Sequence, residues 1–364
     1  MVRQSPTTQH RPAEPLASRH IFLDTQVYRA LGHNPANRAM TLLKEQVASH
    51  RVVLHVTDIT LLEVKRQIHE GVLARQRELN AIERDLVRWR KSVPKAVPKK
   101  AIEFDAKTLS TELFHQFECF LRHECKAEVH RALAVPAAVV FENYFDRKPP
   151  FDGEDSKEFP DGFVVEALKQ WCREQGDRIY VVTEDKAMTR AVSADEYLLP
   201  LRNIHEVLAR AAADLGADGE GVAEAVLREA AFDSSLEAAL RAQMKEIDYV
   251  YVGDLAEGEA YEGELLSIEE VGDWSVVGLS DRRVTLILDA KVTVRVEVQY
   301  EDRDSAFYDR EDDRWFGAEI ASTEVDDEID IEILVEVERR TGAVHDAKIL
   351  TQEVSIYGPS EWEY

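Results

Sequence analysis

This chain has few cysteines and no long hydrophobic run. Its 364 residues include three cysteines, Cys119, Cys125 and Cys172, which is too few for a disulfide framework and typical of a reducing compartment. No stretch approaches the roughly 18 apolar residues of a membrane-spanning helix, and the polar N-terminus has no signal-peptide apolar core. No repeat of fixed period is present. We therefore expect a soluble, cytoplasmic protein.

Positive charge is scarce in one part of the chain only. The net charge is −25, from 45 Lys and Arg against 70 Asp and Glu. Residues 1–214 have a net charge of +1, and residues 215–364 carry the other −26. Such an acidic chain repels polyanions at long range, so any contact with nucleic acid must be local and metal-assisted. The split predicts two electrostatically different modules in one chain.

The length also exceeds that of one ordinary domain. Residues 1–19 contain three prolines and few large apolar side chains, which predicts a flexible tail. We expect an α/β domain over residues 20–214, a helical connector over 215–246 and an acidic β-rich domain over 247–364.

Alternating apolar strands and amphipathic helices predict the α/β domain. Continuous apolar runs at residues 20–23, 51–56 and 178–183 are typical of parallel strands covered on both faces. Helical spacing is predicted over residues 37–49, 57–90, 106–124, 126–133 and 161–174, and a loop over residues 149–160. This alternation predicts a parallel sheet flanked by helices.

The C-terminal part has the period of exposed strands instead. Residues 284–298 and 329–338 alternate apolar with polar side chains, and residues 347–357 also resemble a strand. We predict a small antiparallel sheet with an acidic outer face. Four roles remain open for this domain: binding of a protein partner, self-association, mimicry of a polyanion and simple solubilisation.

Four carboxylates each lie at the edge of an apolar segment: Asp24, Glu63, Asp161 and Asp185. Taken singly, each is explained by a helix cap, a turn or a solvated helix position. Asp24 and Asp185 follow apolar strands, however, and the carboxyl ends of parallel strands line the ligand crevice of an open sheet. Four crowded carboxylates could not all stay ionised without cations, and all-oxygen ligation favours Mg²⁺ or Mn²⁺ over zinc.

The segments around these acids resemble the PIN-domain nuclease superfamily, and within it a bacterial branch of longer domains. The matching segments, in the family's order, are Phe22-Leu23-Asp24-Thr25, Leu62-Glu63-Val64-Lys65, Phe159-Pro160-Asp161-Gly162 and Val182-Thr183-Glu184-Asp185. The resemblance covers about residues 20–210, and its specificity comes from all four motifs in register. It implies an acidic pocket that binds one or two Mg²⁺ or Mn²⁺ ions and hydrolyses phosphodiester bonds.

The resemblance also implies roles for the residues of the pocket. Asp24 and Asp185 are expected as central metal ligands, with Glu63 and Asp161 completing the site directly or through water. The hydroxyls of Thr25 and Thr183 are expected to orient ligands or water, and Glu184 is a weaker ligand candidate because the turn points it away.

Basic residues near the acids are candidates for contacts with substrate phosphates. Lys65, Arg66 and Lys157 lie close in sequence to three of the acids, and solvated surface charge is an equal explanation for them. Residues 91–100 form a basic, proline-broken loop beside Trp89, which suits either a nucleic-acid backbone or solvent.

A second set of metal-ligand types, His115, Cys119 and His123, recurs on one predicted helical face. Its ends lie about 12 Å apart along the axis, so these three side chains cannot surround one ion. We interpret them as partly buried helix residues, with a two-ligand zinc site left open.

The leading hypothesis is therefore a metal-dependent endonuclease, with RNA favoured over DNA as its nucleic-acid partner. The alternatives are a structure-specific or single-strand DNA nuclease, and a non-catalytic scaffold that binds a partner through its C-terminal domain.

Overall fold

The computed structural model describes residues 14–93, 105–153, 158–213, 216–303, 307–309, 314–316, 319–351 and 353–358. It divides the chain into two compact units, Pro15–Ala211 and a second one from Ala212 onward. Lys157 and most of the expected basic loop and N-terminal tail lie outside the described residues. In the parts that are described, no helix is long and apolar enough to cross a membrane.

The N-terminal unit is built on a five-stranded parallel sheet with the order β3-β2-β1-β4-β5. Its strands are β1 His20–Leu23, β2 Val53–Thr57, β3 Glu128–His130, β4 Ile179–Val182 and β5 Leu198–Leu201. Its helices are α1 Thr25–Ala30, α2 Arg38–Ala48, α3 Asp58–Ser92, α4 Ala106–Cys119, α5 Ala137–Phe145, α6 Phe159–Gln175, α7 Lys186–Ser193 and α8 Ile204–Ala212. The prediction of a parallel sheet flanked by helices is confirmed.

The two central strands are buried along their whole length. Every residue of β1 and of β4 is buried, as expected for parallel strands with helices on both faces. On one face Phe22 and Val181 pack with Val164 and Leu168 of α6 in a continuous apolar core. This packing holds the carboxyl ends of β1 and β4 side by side.

The predicted helix over residues 126–133 is wrong. Lys126 has a positive φ of 49°, and a left-handed residue there stops helical continuation after the π-helical turn Phe120–Glu124 that extends α4. The chain then pairs with β2 as β3 and makes a short 3₁₀ turn at Ala132–Ala134. An eight-residue helix is marginal by itself, so the backbone hydrogen bonds offered by β2 prevail.

The second unit contains a four-stranded antiparallel sheet with the order β12-β11-β8-β7, which confirms the predicted sheet type. Its strands are β6 Asp248–Val252, β7 Glu259–Leu279, β8 Arg283–Asp302, β9 Phe307–Asp309, β10 Arg314–Phe316, β11 Glu319–Glu338, β12 Val344–Ile349 and β13 Glu353–Tyr357. β6 and β13 form a parallel pair, and β9 and β10 an antiparallel pair. The run at residues 347–357, expected as one strand, belongs to two.

Two helices belong to this second unit, α9 Gly216–Leu227 and α10 Ala230–Gln243. Val226, Phe232 and Leu240 from these helices are buried in one core with the valines of β8. The helical segment expected as a connector is therefore part of the hydrophobic core of the C-terminal unit.

Candidate active site

Asp24 lies at the carboxyl end of β1 and is buried, with 8 % of its surface exposed. It caps α1: its Oδ1 accepts a 2.6 Å hydrogen bond from the backbone N–H of Thr25. Its Oδ2 accepts a 2.7 Å hydrogen bond from the hydroxyl of Thr183. Its own N–H donates to the carbonyl of Val182 at 3.0 Å, which fastens the residue to β4. These bonds make a buried carboxylate tolerable.

Asp185 follows β4 and caps α7. Its Oδ1 accepts a 2.7 Å hydrogen bond from the N–H of Met188, and its own N–H donates to Oγ1 of Thr183 at 3.0 Å. Thr183 is buried at 2 % exposure and so contacts both strand-end acids, Asp24 through its proton and Asp185 through its oxygen. Oδ2 of Asp185 has no hydrogen bond to any residue within the described ranges, which leaves it available for a ligand.

Glu63 reaches the same place from α3. Thr57 begins this helix by accepting a 3.0 Å hydrogen bond from the N–H of Thr60, which puts Glu63 in the second turn. Its Oε2 accepts a 2.8 Å hydrogen bond from the hydroxyl of Thr25, the residue that follows Asp24. The two threonines named in the sequence analysis therefore each bond to two of the four acids.

Asp161 lies in the first turn of α6, next to a glycine that the packing requires. A Cβ on Gly162 would lie 2.5 Å from Cζ of Phe151 and 3.1 Å from Cγ1 of Val140 on α5. Pro160 occupies the first turn, where its missing N–H costs nothing. Close approach of Phe151 and α5 to α6 thus fixes the start of the helix that carries Asp161.

The acids interact electrostatically as one group. Burial raises the pKa of Asp24, the Thr183 and Thr25 hydrogen bonds oppose that rise, and the charges of Glu63 and Asp185 add to it. Burial also raises the pKa of Asp161, and the charges of Asp24 and Glu158 raise it further. Ionising all of these carboxylates together is therefore costly, and a divalent cation among them would remove that cost.

Two residues near the acids were not found from the sequence. Glu158 precedes α6 and shares a hydrogen bond with Asp161 that raises the pKa of the latter. The sequence signal that could have found Glu158 is its spacing of three residues from Asp161 at the start of a helix, which puts both carboxylates on the same side of that helix. Lys186 follows Asp185 directly, is exposed, and makes no ion pair with a residue in the described ranges.

The other named candidates lie at the surface. Glu184 is exposed, unlike its neighbours Thr183 and Asp185. The ammonium of Lys65 lies 5.5 Å from the ring centre of Phe114. Arg66 is 66 % exposed and pairs with Glu70 one helical turn later at 3.8 Å.

Aromatic side chains on α5 form an exposed surface that contacts Phe159 at the start of α6. Phe141, Tyr144 and Phe145 are exposed to 44 %, 37 % and 76 %, and we refer to these three residues as the aromatic face. The rings of Phe141 and Tyr144 lie 5.2 and 5.1 Å from the ring of Phe159, which is two residues before Asp161. Exposed rings of this kind suit base stacking.

The most closely spaced metal-ligand atoms lie elsewhere on the sheet. Among the residues that the structure describes, His55, Glu128 and His130 form the one group of His, Cys, Asp or Glu with three ligand atoms all within 4.8 Å. Burial, with the nearby His130 and His20, lowers the pKa of His55 to about 2. The four acids do not meet that spacing. In the second candidate set, Sγ of Cys119 lies 3.6 Å from Nε2 of His115.

Comparison with known proteins gives a family-model match that lies within the N-terminal unit. Residues 21–188 match the sequence model of a family described as PIN domain. The match includes all four acids and both threonines, and it ends before the second unit begins. No curated protein and no solved structure matches the chain. PIN domains are generally metal-dependent nucleases, and the match covers residues 21–188 of the 364.

Proposed function

Because residues 21–188 match the PIN-domain family model, we propose that the protein is a metal-dependent endonuclease that hydrolyses phosphodiester bonds, of RNA in preference to DNA. One observation carries the proposal. Asp24, Glu63 and Asp185 come from separate segments and are joined by hydrogen bonds through Thr25 and Thr183. The charges of Asp24 and Glu63 in turn raise the pKa of Asp161. A structural role for each acid alone gives no reason for all four to converge.

The donor set fits Mg²⁺ or Mn²⁺. All the donors are oxygens, which hard divalent cations prefer. The raised pKa of Asp24 and of Asp161 reflects a cost of ionising these carboxyl groups, and a bound cation would offset that cost. Two ions about 4 Å apart, each with oxygens at about 2.1 Å, spread their ligands over about 8 Å. Among the described residues no three of these acids have ligand atoms all within 4.8 Å of one another, which a pair of ions can accommodate.

In this proposal Asp24 and Asp185 are the central ligands, and Glu63 and Asp161 complete the site directly or through water. A bound ion would supply an activated water and stabilise the charge on the leaving oxygen. Thr183 holds Oδ2 of Asp24 and the backbone of Asp185 in place, and Thr25 holds Glu63.

The surroundings of the pocket favour a single-stranded substrate. The aromatic face offers ring surfaces on which unpaired bases can stack, at about 1–3 kcal/mol per base. Lys65, Arg66 and Lys157 remain candidates for phosphate contacts, and we add Lys186 because it adjoins Asp185 and is exposed. RNA presents unpaired bases more often than DNA, which agrees with the preference proposed.

The C-terminal unit has a different proposed role. Residues 215–364 carry a net charge of −26, which repels nucleic acid. We propose that this unit binds a protein partner or a second copy of the chain. Sedimentation of the full chain at several concentrations would test self-association, and a concentration-independent monomer would leave only the partner.

The test of the nuclease proposal is cleavage of end-labelled single strands of RNA and DNA with the same sequence, alone and as duplexes. Each is incubated with the full chain in Mg²⁺, in Mn²⁺ and in EDTA. Asp24→Asn and Asp185→Asn are compared with Glu174→Gln, an exposed carboxylate on α6. Asparagine at position 185 can still cap α7, so this variant removes charge and keeps the helix start.

We expect metal-dependent cutting by the wild type and by Glu174→Gln, and loss of cutting in both Asn variants. Faster cutting of the RNA single strand would support the proposed substrate, whereas faster cutting of the DNA would identify a DNA nuclease. No cutting of any substrate would contradict the proposal and favour a binding scaffold. Equal cutting by the Asn variants would also contradict it, because the cutting would then not depend on the acidic site.

A further inference from the structure

Three histidines from neighbouring strands lie in one line across the sheet. Nδ1 of His20 is 2.8 Å from Nε2 of His55, and Nδ1 of His55 is 2.7 Å from Nε2 of His130. Glu128 pairs in register with His55, and its Oε2 lies 3.8 Å from Nδ1 of His55. The ring of Trp171 packs against all three imidazoles at 4.5 to 5.9 Å. We infer that His55, Glu128 and His130 bind a divalent ion of the zinc class.

The alternative is a chain of neutral histidines held by hydrogen bonds alone. A neutral imidazole has one N–H donor and one acceptor nitrogen. Oδ2 of Asp177 lies 3.5 Å from Nε2 of His20, which favours the proton on that nitrogen. Nδ1 of His20 is then the acceptor for Nε2–H of His55. His55 is left with an unprotonated Nδ1 that points toward His130 and Glu128.

Two acceptors, Nδ1 of His55 and the carboxylate of Glu128, therefore lie close to Nε2 of His130. An ionised Glu128 cannot donate a proton to Nδ1 of His55, so hydrogen bonding alone satisfies this nitrogen only through His130. In this hydrogen-bonded arrangement the carboxylate of Glu128 lies beside the lone pair of Nδ1 of His55, and no attractive contact joins the two groups. A cation accepts electron pairs from both nitrogens and from the carboxylate together, and so accounts for all three ligand atoms.

Two imidazole nitrogens and one carboxylate oxygen are ligands of zinc and its neighbours, not of Mg²⁺. Zinc–nitrogen bonds of about 2.0–2.1 Å place two nitrogens of a tetrahedral site about 3.3 Å apart. The observed 2.7 Å between His55 and His130 opens to that value by a small rotation of the His130 ring, which is only partly buried. The side chain of Glu128 is 51 % exposed, so water has access to the remaining position.

The residues behind the ligands have the arrangement that a bound metal requires. A histidine ligand usually donates its other N–H to a carboxylate or another acceptor, which fixes the tautomer and the ring. Nε2 of His55 has Nδ1 of His20 as that acceptor, and Asp177 fixes His20 in turn. The ring of Trp171 packs against the ring of His55. His20 is thus a positioning residue for this site.

The site would have a structural consequence. β3 is an edge strand of three residues that pairs with β2 alone, and so short a strand is weakly held by its backbone hydrogen bonds. An ion bound by His55 from β2 and by both ends of β3 would fasten that strand to the sheet. None of the four acids of the candidate active site takes part.

The test is a zinc titration of the full chain. Protein stripped with EDTA and transferred to chelator-free buffer is titrated with Zn²⁺ against a chromogenic chelator, in excess Mg²⁺ to occupy the acidic pocket. The variants are Glu128→Gln, His130→Gln and, for positioning, His20→Gln. The controls are Glu124→Gln, which is equally exposed and four residues away, with His123→Gln and Asp24→Asn.

We expect one Zn²⁺ per chain. Loss of His20 should weaken binding about 10- to 100-fold, the range for a partner of a metal ligand, and loss of Glu128 or His130 should weaken it more. All three controls should bind as the wild type does. Co²⁺ titration gives a second readout, because a visible absorption band of the bound ion should disappear in Glu128→Gln, which keeps the exposed position and the size of the side chain.

Absence of Zn²⁺ binding would overturn the inference, as would full binding by Glu128→Gln and His130→Gln. Loss of binding in His123→Gln would assign the ion to the π-helical turn after α4, and loss in Asp24→Asn would assign it to the acidic site. Either result would contradict the inference. The readout is metal binding alone, so its outcome is independent of whether the protein cuts nucleic acid.

Discussion

The hydroxyl of Thr183 donates a 2.7 Å hydrogen bond to Oδ2 of Asp24, 159 positions earlier in the chain. The hydroxyl oxygen of Thr183 also accepts a 3.0 Å hydrogen bond from the N–H of Asp185. One buried side chain thus connects the ends of β1 and β4 and determines the distance between two of the four acids. A hydroxyl is required because it must donate in one direction and accept in the other.

Thr183→Val should weaken both stability and metal binding. Valine has nearly the shape of threonine, but it leaves a buried carboxylate oxygen and a backbone N–H without partners, at a cost of about 1–3 kcal/mol. Metal affinity should fall about 10- to 100-fold, as for other partners of metal ligands. Urea unfolding and Mn²⁺ calorimetry would measure the two effects. Thr183→Ser keeps the hydroxyl and is the control, and equal effects in both variants would contradict the role of the hydroxyl.

Asp161→Asn should stabilise the metal-free protein at neutral pH. The pKa of Asp161 in the folded state lies above its unfolded value. Its favourable contribution is therefore complete below the unfolded pKa and is lost as pH rises through the folded pKa. The Asn variant has no such loss, so its melting temperature in EDTA should exceed that of the wild type at pH 8 by about 2–4 °C, for about 1 kcal/mol.

The difference should disappear as pH falls below about 3, under the unfolded pKa of about 3.9, where the wild-type carboxyl is protonated in both states. Calorimetry at several pH values would measure it. Glu174→Gln, an exposed change on the same helix, should show no such pH-dependent gain. An Asn variant that is less stable than the wild type at every pH would be evidence against crowding of the acids.

Mg²⁺ or Mn²⁺ should raise the melting temperature of the wild type, and EDTA should reverse the rise. An ion that binds only the folded state stabilises it by about 2.7 kcal/mol at 100 times its Kd. Asp24→Asn and Asp185→Asn should lose most of this gain, because each removes a charge from the ligand set. The same thermal shift in all three proteins would place the ion outside the acidic pocket.

Phe145→Ala should weaken substrate binding with little change in stability. The side chain is 76 % exposed, so its removal leaves no cavity, whereas a lost stacking contact costs about 1–3 kcal/mol per base. Cleavage kinetics on a single strand should show a higher KM with kcat nearly unchanged. Phe145→Tyr keeps the ring and should behave as the wild type. An unchanged KM in Phe145→Ala would remove the aromatic face from the substrate path.

Gly162→Ala and Gly71→Ala should have opposite effects on stability. Both positions are helical, and helix propensity alone favours alanine by about 1 kcal/mol. A Cβ at Gly71 meets nothing within 4 Å, but one at Gly162 lies 2.5 Å from the ring of Phe151. Overpacking of this kind costs about 1–3 kcal/mol. Urea unfolding should therefore show a gain at position 71 and a loss at position 162, and a gain at both would contradict the packing described.

Local patterns explain what could be predicted. β1 and β4 are continuous apolar runs, and Asp24 and Asp185 follow them directly, so a rule about strand ends was sufficient to place both at one edge of the sheet. Glu158 was missed because a glutamate before a helix looks like any solvated residue. Only its hydrogen bond with Asp161 distinguishes it.

The sequence by itself determined the two classes of architecture and the charge difference between the two parts of the chain, because periodicity and composition are local properties. Tertiary structure alone decided that residues 128–130 form a strand and that His20, His55 and His130 share one line. The physical reason is strand register. Hydrogen bonds between segments that are distant in sequence decide which side chains are neighbours across a sheet. A local sequence pattern contains no information about these bonds.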